Sequence, residues 1–102
     1  MLILKLNVKP ETEMRLKKIL EYTKDEEAFA QKIVTSQIAE LKNGIFHIRL
    51  QMKQFEEKYN MLSKEFYRQY RKCVFADKED FARWAETYEM LLENEKRLRD
   101  LK

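Results

Sequence analysis

The chain has 102 residues, of which 44% are hydrophobic and 38% are charged, and its formal net charge is +3. This length suits one domain, or one small domain with an appendage. With one Gly and one Pro, the chain lacks the residues of a glycine-rich phosphate loop and of the many turns of an all-β fold. The composition therefore predicts helices joined by short connections.

The chain offers few residues for catalysis or metal binding. Cys73 and His47 are the only residues of their types, so neither a disulfide framework nor a four-ligand structural zinc site is expected. Ser36 and Ser63 have no glycine-rich elbow around them, which a serine nucleophile would need. We therefore expect no enzyme activity, no metal and no cofactor. The lone cysteine favours a cytoplasmic setting, and the short apolar runs predict no membrane span.

The first segment has the pattern of a short strand. One face is apolar and the other is mixed; the sets are Leu2, Leu4, Leu6 and Val8, and Ile3, Lys5, Asn7 and Lys9. This period of two predicts a half-buried strand that ends at Pro10. A single strand has no hydrogen-bond partner within the chain, and pairing with the same strand of a second copy is the simplest way to satisfy its backbone groups. The pattern therefore predicts a homodimer through residues 2–8.

Two helices are predicted to follow, from about Pro10 to Tyr22 and from about Glu26 to Asn60. Either Thr23 or Asp25 can cap the second helix. The second helix carries a seam at alternating spacings of four and three, formed by Val34, Ile38, Leu41, Ile45, Ile48, Met52, Phe55, Tyr59 and Leu62. Four heptads of this kind predict a coiled-coil-like helix packed against another helix.

The capping residues and apolar spacing of the C-terminal part predict two more helices. Ser63 is placed to cap a short helix that includes Phe66 and Tyr70, and Asp77 with Asp80 resembles a capping arrangement for the last helix. The last helix carries apolar residues at heptad spacing, which are Phe81, Trp84, Tyr88, Leu91 and Leu98. One interpretation is that this face folds back on the seam of the second helix as a helical hairpin.

The N-terminal half resembles the ribbon-helix-helix family of DNA-binding repressors, of the Arc/MetJ type. The resemblance rests on LILKLNV as the ribbon, KPETEMRLKKILEY as the first helix and DEEAFAQKIVTSQIAEL as the second. It implies a mainly α fold, with a dimerising and DNA-binding unit over residues 1–45 that contains one short strand, and a long helix with a helical extension over residues 46–102.

The resemblance also implies contacts with an operator. By position, Ile3, Lys5 and Asn7 match the base-reading side chains of the family, which enter the major groove. Thr23 and Lys24 match its phosphate clamp at the start of the second helix. The chain departs from the family in the turn between the helices, which has no Gly, and in the acidic residues that follow it, Asp25, Glu26 and Glu27.

The helical extension is similar to the partner-binding arms of antitoxins from prokaryotic toxin–antitoxin pairs. Its predicted partner-binding residues are Phe66, Tyr67, Tyr70, Phe75, Phe81, Trp84, Tyr88 and Leu91. The function implied is a dimeric antitoxin that blocks a toxin through these helices and, as a transcriptional repressor, regulates its own operon. Two alternatives stay open: a helical adaptor that dimerises without binding DNA, and a plasmid or viral repressor without a toxin.

Overall fold

The protein is described by a computed structural model, which places residues 1–73 and 78–102. The helices in these residues are α1 Pro10–Tyr22, α2 Glu26–Tyr59, α3 Ser63–Arg71 and α4 Glu79–Leu101. The chain divides into two compact units, Met1–Ile33 and Val34–Lys102. The first is called the N-terminal unit below, and the second the C-terminal unit. None of the described helices has the length and apolar character needed to cross a membrane.

The predicted N-terminal strand is wrong, and the ribbon-helix-helix fold class is wrong with it. Across residues 1–73 and 78–102 the structure contains no strand, and residues 1–9 belong to no helix. Alternating apolar residues indicate which side chains avoid water, but a strand also needs a neighbour that satisfies its backbone groups. Beyond residue 9 the described residues are mostly helical, so they offer no second segment for this ladder.

The N-terminal unit has little core of its own. Pro10 is the first residue of α1, where its missing N–H is not needed, and Glu11 and Glu13 lie in the first turn. Within Met1–Ile33, all of which is described, no side chain is buried. The apolar residues that could form a core in this unit are exposed or half-buried; they include Leu4, Leu6, Val8, Leu16, Ile19, Phe29 and Ile33.

Helix α2 ends where a residue adopts left-handed backbone geometry. Asn60, directly after the helix, has a φ of 51°, which Asn tolerates better than most residues. The N–H of Met61 donates to the carbonyl of Glu56 at 3.2 Å, which satisfies one of the last carbonyls of the helix. The end at Tyr59 lies one residue before the predicted end at Asn60.

The C-terminal unit is an antiparallel pairing of α2 with α4. The Nη2 of Arg49, in the middle of α2, lies 3.8 Å from the Oε2 of Glu95, late in α4. The ring of Tyr59, at the end of α2, lies 5.1 Å from that of Phe81, near the start of α4, measured between ring centroids. One buried cluster along this pairing consists of Ile45, Ile48, Met52 and Leu91, with Tyr88 and Leu98 packed against it. The part of the heptad seam from Ile45 to Tyr59 thus packs against its own chain, as in the helical-hairpin interpretation. The two ends of the predicted seam do not, because Val34 is 41% exposed and Leu62 is 71% exposed and lies beyond the end of α2.

The second buried cluster surrounds Trp84. It consists of Phe66, Phe81, Trp84 and Ala85, with Phe55, Tyr59, Met61, Tyr67 and Tyr70 packed around them. Trp84 is fully buried and Phe66 is 1% exposed. Their rings stack within 5° of parallel, with centroids 3.8 Å apart. The indole Nε1 of Trp84 donates to the Oγ of Ser63 at 2.8 Å, so the one polar atom of the indole is satisfied.

The predicted cap of α3 is wrong, and Asp80 near the start of α4 makes other contacts than the predicted ones. Helix α3 begins at Ser63 without a side-chain cap, because the Ser63 hydroxyl lies in the interior as the acceptor for Trp84. The N–H of Ser63 donates instead to the carboxylate of Glu56 at 2.7 Å. At α4, the Asp80 carboxylate accepts hydrogen bonds from Lys58 and Tyr59 of α2. The other residue of the predicted cap, Asp77, lies outside the described residues.

We predict that Trp84→Ala lowers the free energy of unfolding by about 3–5 kcal/mol, since it removes a buried aromatic side chain and leaves a cavity. Trp84→Phe should lower the free energy of unfolding by less, because it keeps a ring against Phe66. Its remaining cost comes from the lost hydrogen bond to Ser63. Met90→Ala is the matched control, since Met90 is 50% exposed on the same helix. Urea unfolding followed by far-UV circular dichroism measures all three. Equal losses for Trp84→Ala and Met90→Ala would contradict this assignment.

Candidate interaction surfaces

The residues predicted to read DNA bases lie in the non-helical segment before α1. Ile3 is 75% exposed, and Lys5 and Asn7 are exposed as well. Their side chains are therefore accessible to a partner. No ribbon holds them in the described chain, so the geometry that would insert them into a major groove is not formed. Their role in DNA binding stays a prediction.

The predicted phosphate clamp is occupied by groups of the chain itself. The Thr23 hydroxyl donates to the carbonyl of Ile19 at 2.7 Å, so it closes α1. The Asp25 carboxylate accepts from the N–H of Ala28 at 3.0 Å, which makes Asp25 the cap of α2. A carboxylate thus takes the helix end that a phosphate would approach, and Lys24 beside it is exposed. Negative charge at this position opposes phosphate binding.

Four of the eight residues predicted to bind a partner protein lie in the interior of the C-terminal unit. Phe66, Phe81, Trp84 and Leu91 are buried. Tyr67, Tyr70 and Tyr88 are half-buried, and Phe75 lies outside the described residues. The buried four build the core of the helical hairpin, so in this fold they are covered. A partner role for these eight residues stays a prediction. Among them, Tyr67 and Tyr88 are partly accessible to solvent and could be contacted by a partner.

An apolar groove runs through the N-terminal unit. Its volume is about 310 Å³, and its apolar lining consists of Leu4, Leu6, Val8, Leu16, Leu20, Phe29 and Ile33. We call it the N-terminal groove. Leu4 is 69% exposed and Leu6 is 64% exposed, so these side chains reach water. Glu13 and Lys17 also line the groove and form an ion pair at 3.4 Å, which places charge at the edge of an apolar surface.

Three polar side chains tie α2 to α4 near the Trp84 cluster. The Asp80 Oδ2 accepts from Lys58 Nζ and from the Tyr59 hydroxyl, each at 2.6 Å. The hydrogen bond from Lys58, followed by that from Tyr59, lowers the pKa of Asp80. The same bond to Asp80, together with partial burial, raises the pKa of Tyr59. These shifts favour the ionised Asp80 and protonated Tyr59 that the contact needs, so the network stabilises the hairpin.

A second polar contact lies within α3. Arg68 and Gln69 both donate to the Glu65 carboxylate. The hydrogen bond from Arg68, followed by that from Gln69, lowers the pKa of Glu65 to about 2. Glu65 therefore carries its charge at any pH above the strongly acidic range, and its side chain is committed to neighbours on its own helix.

The described residues show no grouping for metal chemistry. No three His, Cys, Asp or Glu side chains among residues 1–73 and 78–102 are placed to hold a metal ion. His47 is exposed on α2, and its ring meets Phe46 edge-on at 5.6 Å between centroids. Cys73 is exposed.

Sequence reasoning missed the roles of several residues because those roles depend on distant partners. Ser63 was predicted as a helix cap, yet its partner Trp84 is 21 residues away. Asp80 was predicted as part of a cap, and its partners Lys58 and Tyr59 are on another helix. The signal available in the sequence was the single tryptophan, because the N–H of a Trp that becomes buried needs an acceptor. The sequence did not indicate that Ser63 would be that acceptor.

We predict that acid weakens the C-terminal unit through Asp80. Because its pKa is lower in the folded chain than in the unfolded one, its contribution is present above the unfolded pKa of about 3.9 and is lost as the pH falls through the lower folded value. Asp80→Asn should therefore flatten the fall in unfolding free energy between about pH 5 and pH 2. Asp100→Asn, on the exposed end of α4, is the control and should keep the steeper fall. An unchanged profile for Asp80→Asn would reject this contribution.

The comparisons with known proteins add no relative to this picture. No protein-family model, no curated protein and no solved structure matches the chain. The functional conclusions below therefore rest on the residues and contacts of the chain itself.

Proposed function

We propose that the chain is a protein-interaction module that dimerises through its N-terminal unit and is kept rigid by its C-terminal helical hairpin. The observation that carries the proposal is the N-terminal groove, whose apolar lining reaches water in the single chain. This is the helical adaptor among the alternatives that the sequence leaves open.

The exposure of the N-terminal unit supports association because the unit is too small to bury a core alone. Segments shorter than about 40 residues rarely fold without a disulfide, a metal or a partner. The unit spans Met1–Ile33 and has no disulfide, since Cys73 is the only cysteine of the chain. Contiguous apolar surface on a folded protein commonly marks an interaction site. A partner that covers the groove would supply the burial that the unit lacks.

The charges of α1 favour a second copy as that partner. Glu11 and Glu13 lie in the first turn of α1, and Lys17 and Lys18 follow one to two turns later. Glu13 and Lys17 pair within the helix, so Glu11 and Lys18 are the charges that remain for a partner. Two α1 helices that run antiparallel about a two-fold axis would place the acidic end of each against the basic part of the other. Such complementarity favours one orientation over others, while the apolar groove supplies most of the affinity.

We predict that the wild-type chain is a dimer and that Leu6→Asp with Leu20→Asp makes it monomeric. Two carboxylates without partners in an apolar interface should raise the Kd by roughly 100-fold or more. Sedimentation equilibrium over a range of concentrations measures this. Leu50→Asp is the control, since Leu50 is 46% exposed on α2 and lies outside the N-terminal unit; it should remain dimeric. A folded wild-type monomer would contradict the proposal.

The DNA-binding antitoxin stays as a second candidate because Ile3, Lys5 and Asn7 are all accessible. Two findings weigh against it: the ribbon that would carry these residues is absent from the described chain, and Asp25 occupies the α2 end that would hold a phosphate. The toxin-binding arm would also have to act without its buried residues Phe66 and Trp84.

We predict that a gel shift with the DNA directly upstream of the gene shows no specific complex at near-physiological salt. A specific complex would support the antitoxin candidate instead. Lys5→Ala and Asn7→Ala should then each weaken it by about 1–3 kcal/mol, as expected for side chains that read bases. Lys42→Ala, an exposed position on α2, is the control for lost charge alone.

A further inference from the structure

The C-terminal unit carries an open groove on the side where α3 meets α4. Two adjoining hollows of about 430 and 490 Å³ share Leu62, Lys64 and Tyr88 in their linings. We call the pair the α3–α4 groove. All of its lining residues lie within the C-terminal unit, and none of them lines the N-terminal groove.

The floor of the α3–α4 groove is apolar and accessible. Leu62 is 71% exposed and Leu92 is 46% exposed. Between them, the rings of Tyr67 and Tyr88 lie 4.9 Å apart, and the Tyr67 hydroxyl donates to Glu89 at 2.8 Å. Tyr67 also packs against the Trp84 cluster. The floor is thus built on a buried core, which lets it keep its shape without a ligand.

The rim of the groove carries an excess of positive charge. The cationic lining residues are Arg49, Lys53, Lys64 and Arg68, and the anionic ones are Glu56 and Glu65. Both carboxylates are already engaged, since Glu56 accepts from the N–H of Ser63 and Glu65 accepts from Arg68 and Gln69. Two of the cations are engaged as well, Arg49 with Glu95 and Arg68 with Glu65. In the described part of the chain, neither Lys53 nor Lys64 forms an ion pair. These two lysines are available to an anionic partner.

We propose that the α3–α4 groove binds an acidic amphipathic segment of another protein. Apolar side chains of the segment would cover Leu62 and Leu92, and its carboxylates would meet Lys53 and Lys64. Amphipathic segments bind hydrophobic grooves in this way, with apolar anchors for affinity and charge for orientation. A nucleic acid fits less well, because phosphates gain nothing from two exposed leucines on the floor.

Selection from a phage-displayed library of random peptides, each about 16 residues or roughly four helical turns, tests the proposal on the full chain. We expect the enriched peptides to share acidic residues between spaced apolar ones. Their affinity, measured by fluorescence anisotropy, should fall about tenfold or more in Leu62→Ser with Leu92→Ser. Lys53→Glu with Lys64→Glu should cause a similar loss, whereas the control Lys42→Glu, on the exposed face of α2, should not.

Several outcomes would overturn the proposal. They are a selection without an acidic apolar consensus, a basic consensus, equal affinity for the Leu62→Ser, Leu92→Ser variant, displacement of the peptide by double-stranded DNA, and loss of the wild-type dimer in that same variant, which would make a second copy of the chain the occupant of the groove. Leu50→Ser is the control for a lost exposed leucine on α2 and should bind as the wild type does. Circular dichroism of each variant checks that the hairpin is intact, which exposed positions should allow.

Discussion

The buried indole of Trp84 is the contact on which the C-terminal unit depends. Its ring lies against Phe66 of α3 and Phe55 of α2, with centroids 3.8 and 5.7 Å away, so one side chain of α4 holds three helices together. Its N–H is satisfied by Ser63, which avoids the cost of a buried polar atom without a partner. Helix α3, with nine residues, is too short to be stable alone and is helical because it covers this ring.

Carboxylates provide the second set of constraints, at places where helices begin. Asp25 caps α2 in the ordinary local manner, whereas Glu56 reaches from α2 to the first N–H of α3. Asp80 near the start of α4 is turned towards Lys58 and Tyr59 instead. Each carboxylate accepts from a group on the chain itself, and two of the three link different helices. The acidic residues at these positions therefore stabilise the fold through contacts within the chain.

The two units of the chain differ in how they are stabilised, and this difference motivates the functional proposals. The C-terminal unit contains two buried clusters, while within Met1–Ile33, a fully described range, no side chain is buried. Apolar side chains without cover lose hydrophobic stabilisation of roughly 25 cal/mol per Å². A partner that covers these side chains would supply the missing hydrophobic stabilisation. The exposed apolar lining of the N-terminal groove is thus the observation on which the proposed dimerisation rests.

Much of the helical architecture follows from the sequence alone. Local signals suffice for α1, where Pro10 marks the start, and for α2, which Asp25 caps and Asn60 ends. The heptad seam indicated a long helix, and its part from Ile45 to Tyr59 is packed along one face, whereas Val34 and Leu62 at its ends are exposed. The self-packed hairpin was one of the interpretations that this seam and the heptad of α4 allowed. These features are local because helix hydrogen bonds join residues four apart, so nearby sequence contains the relevant information.

Other features were decided only by the tertiary structure. Alternation over residues 2–8 specified a pattern of apolar side chains, but a strand requires a second hydrogen-bonded strand, and the described chain provides none. The partner of Ser63 is Trp84, and that of Asp80 is Lys58, more than 20 residues away in each case. Composition and periodicity cannot specify such pairs, since they depend on which helix faces lie together after folding. For the same reason, only the folded chain shows that Trp84 is covered while Leu62 remains exposed.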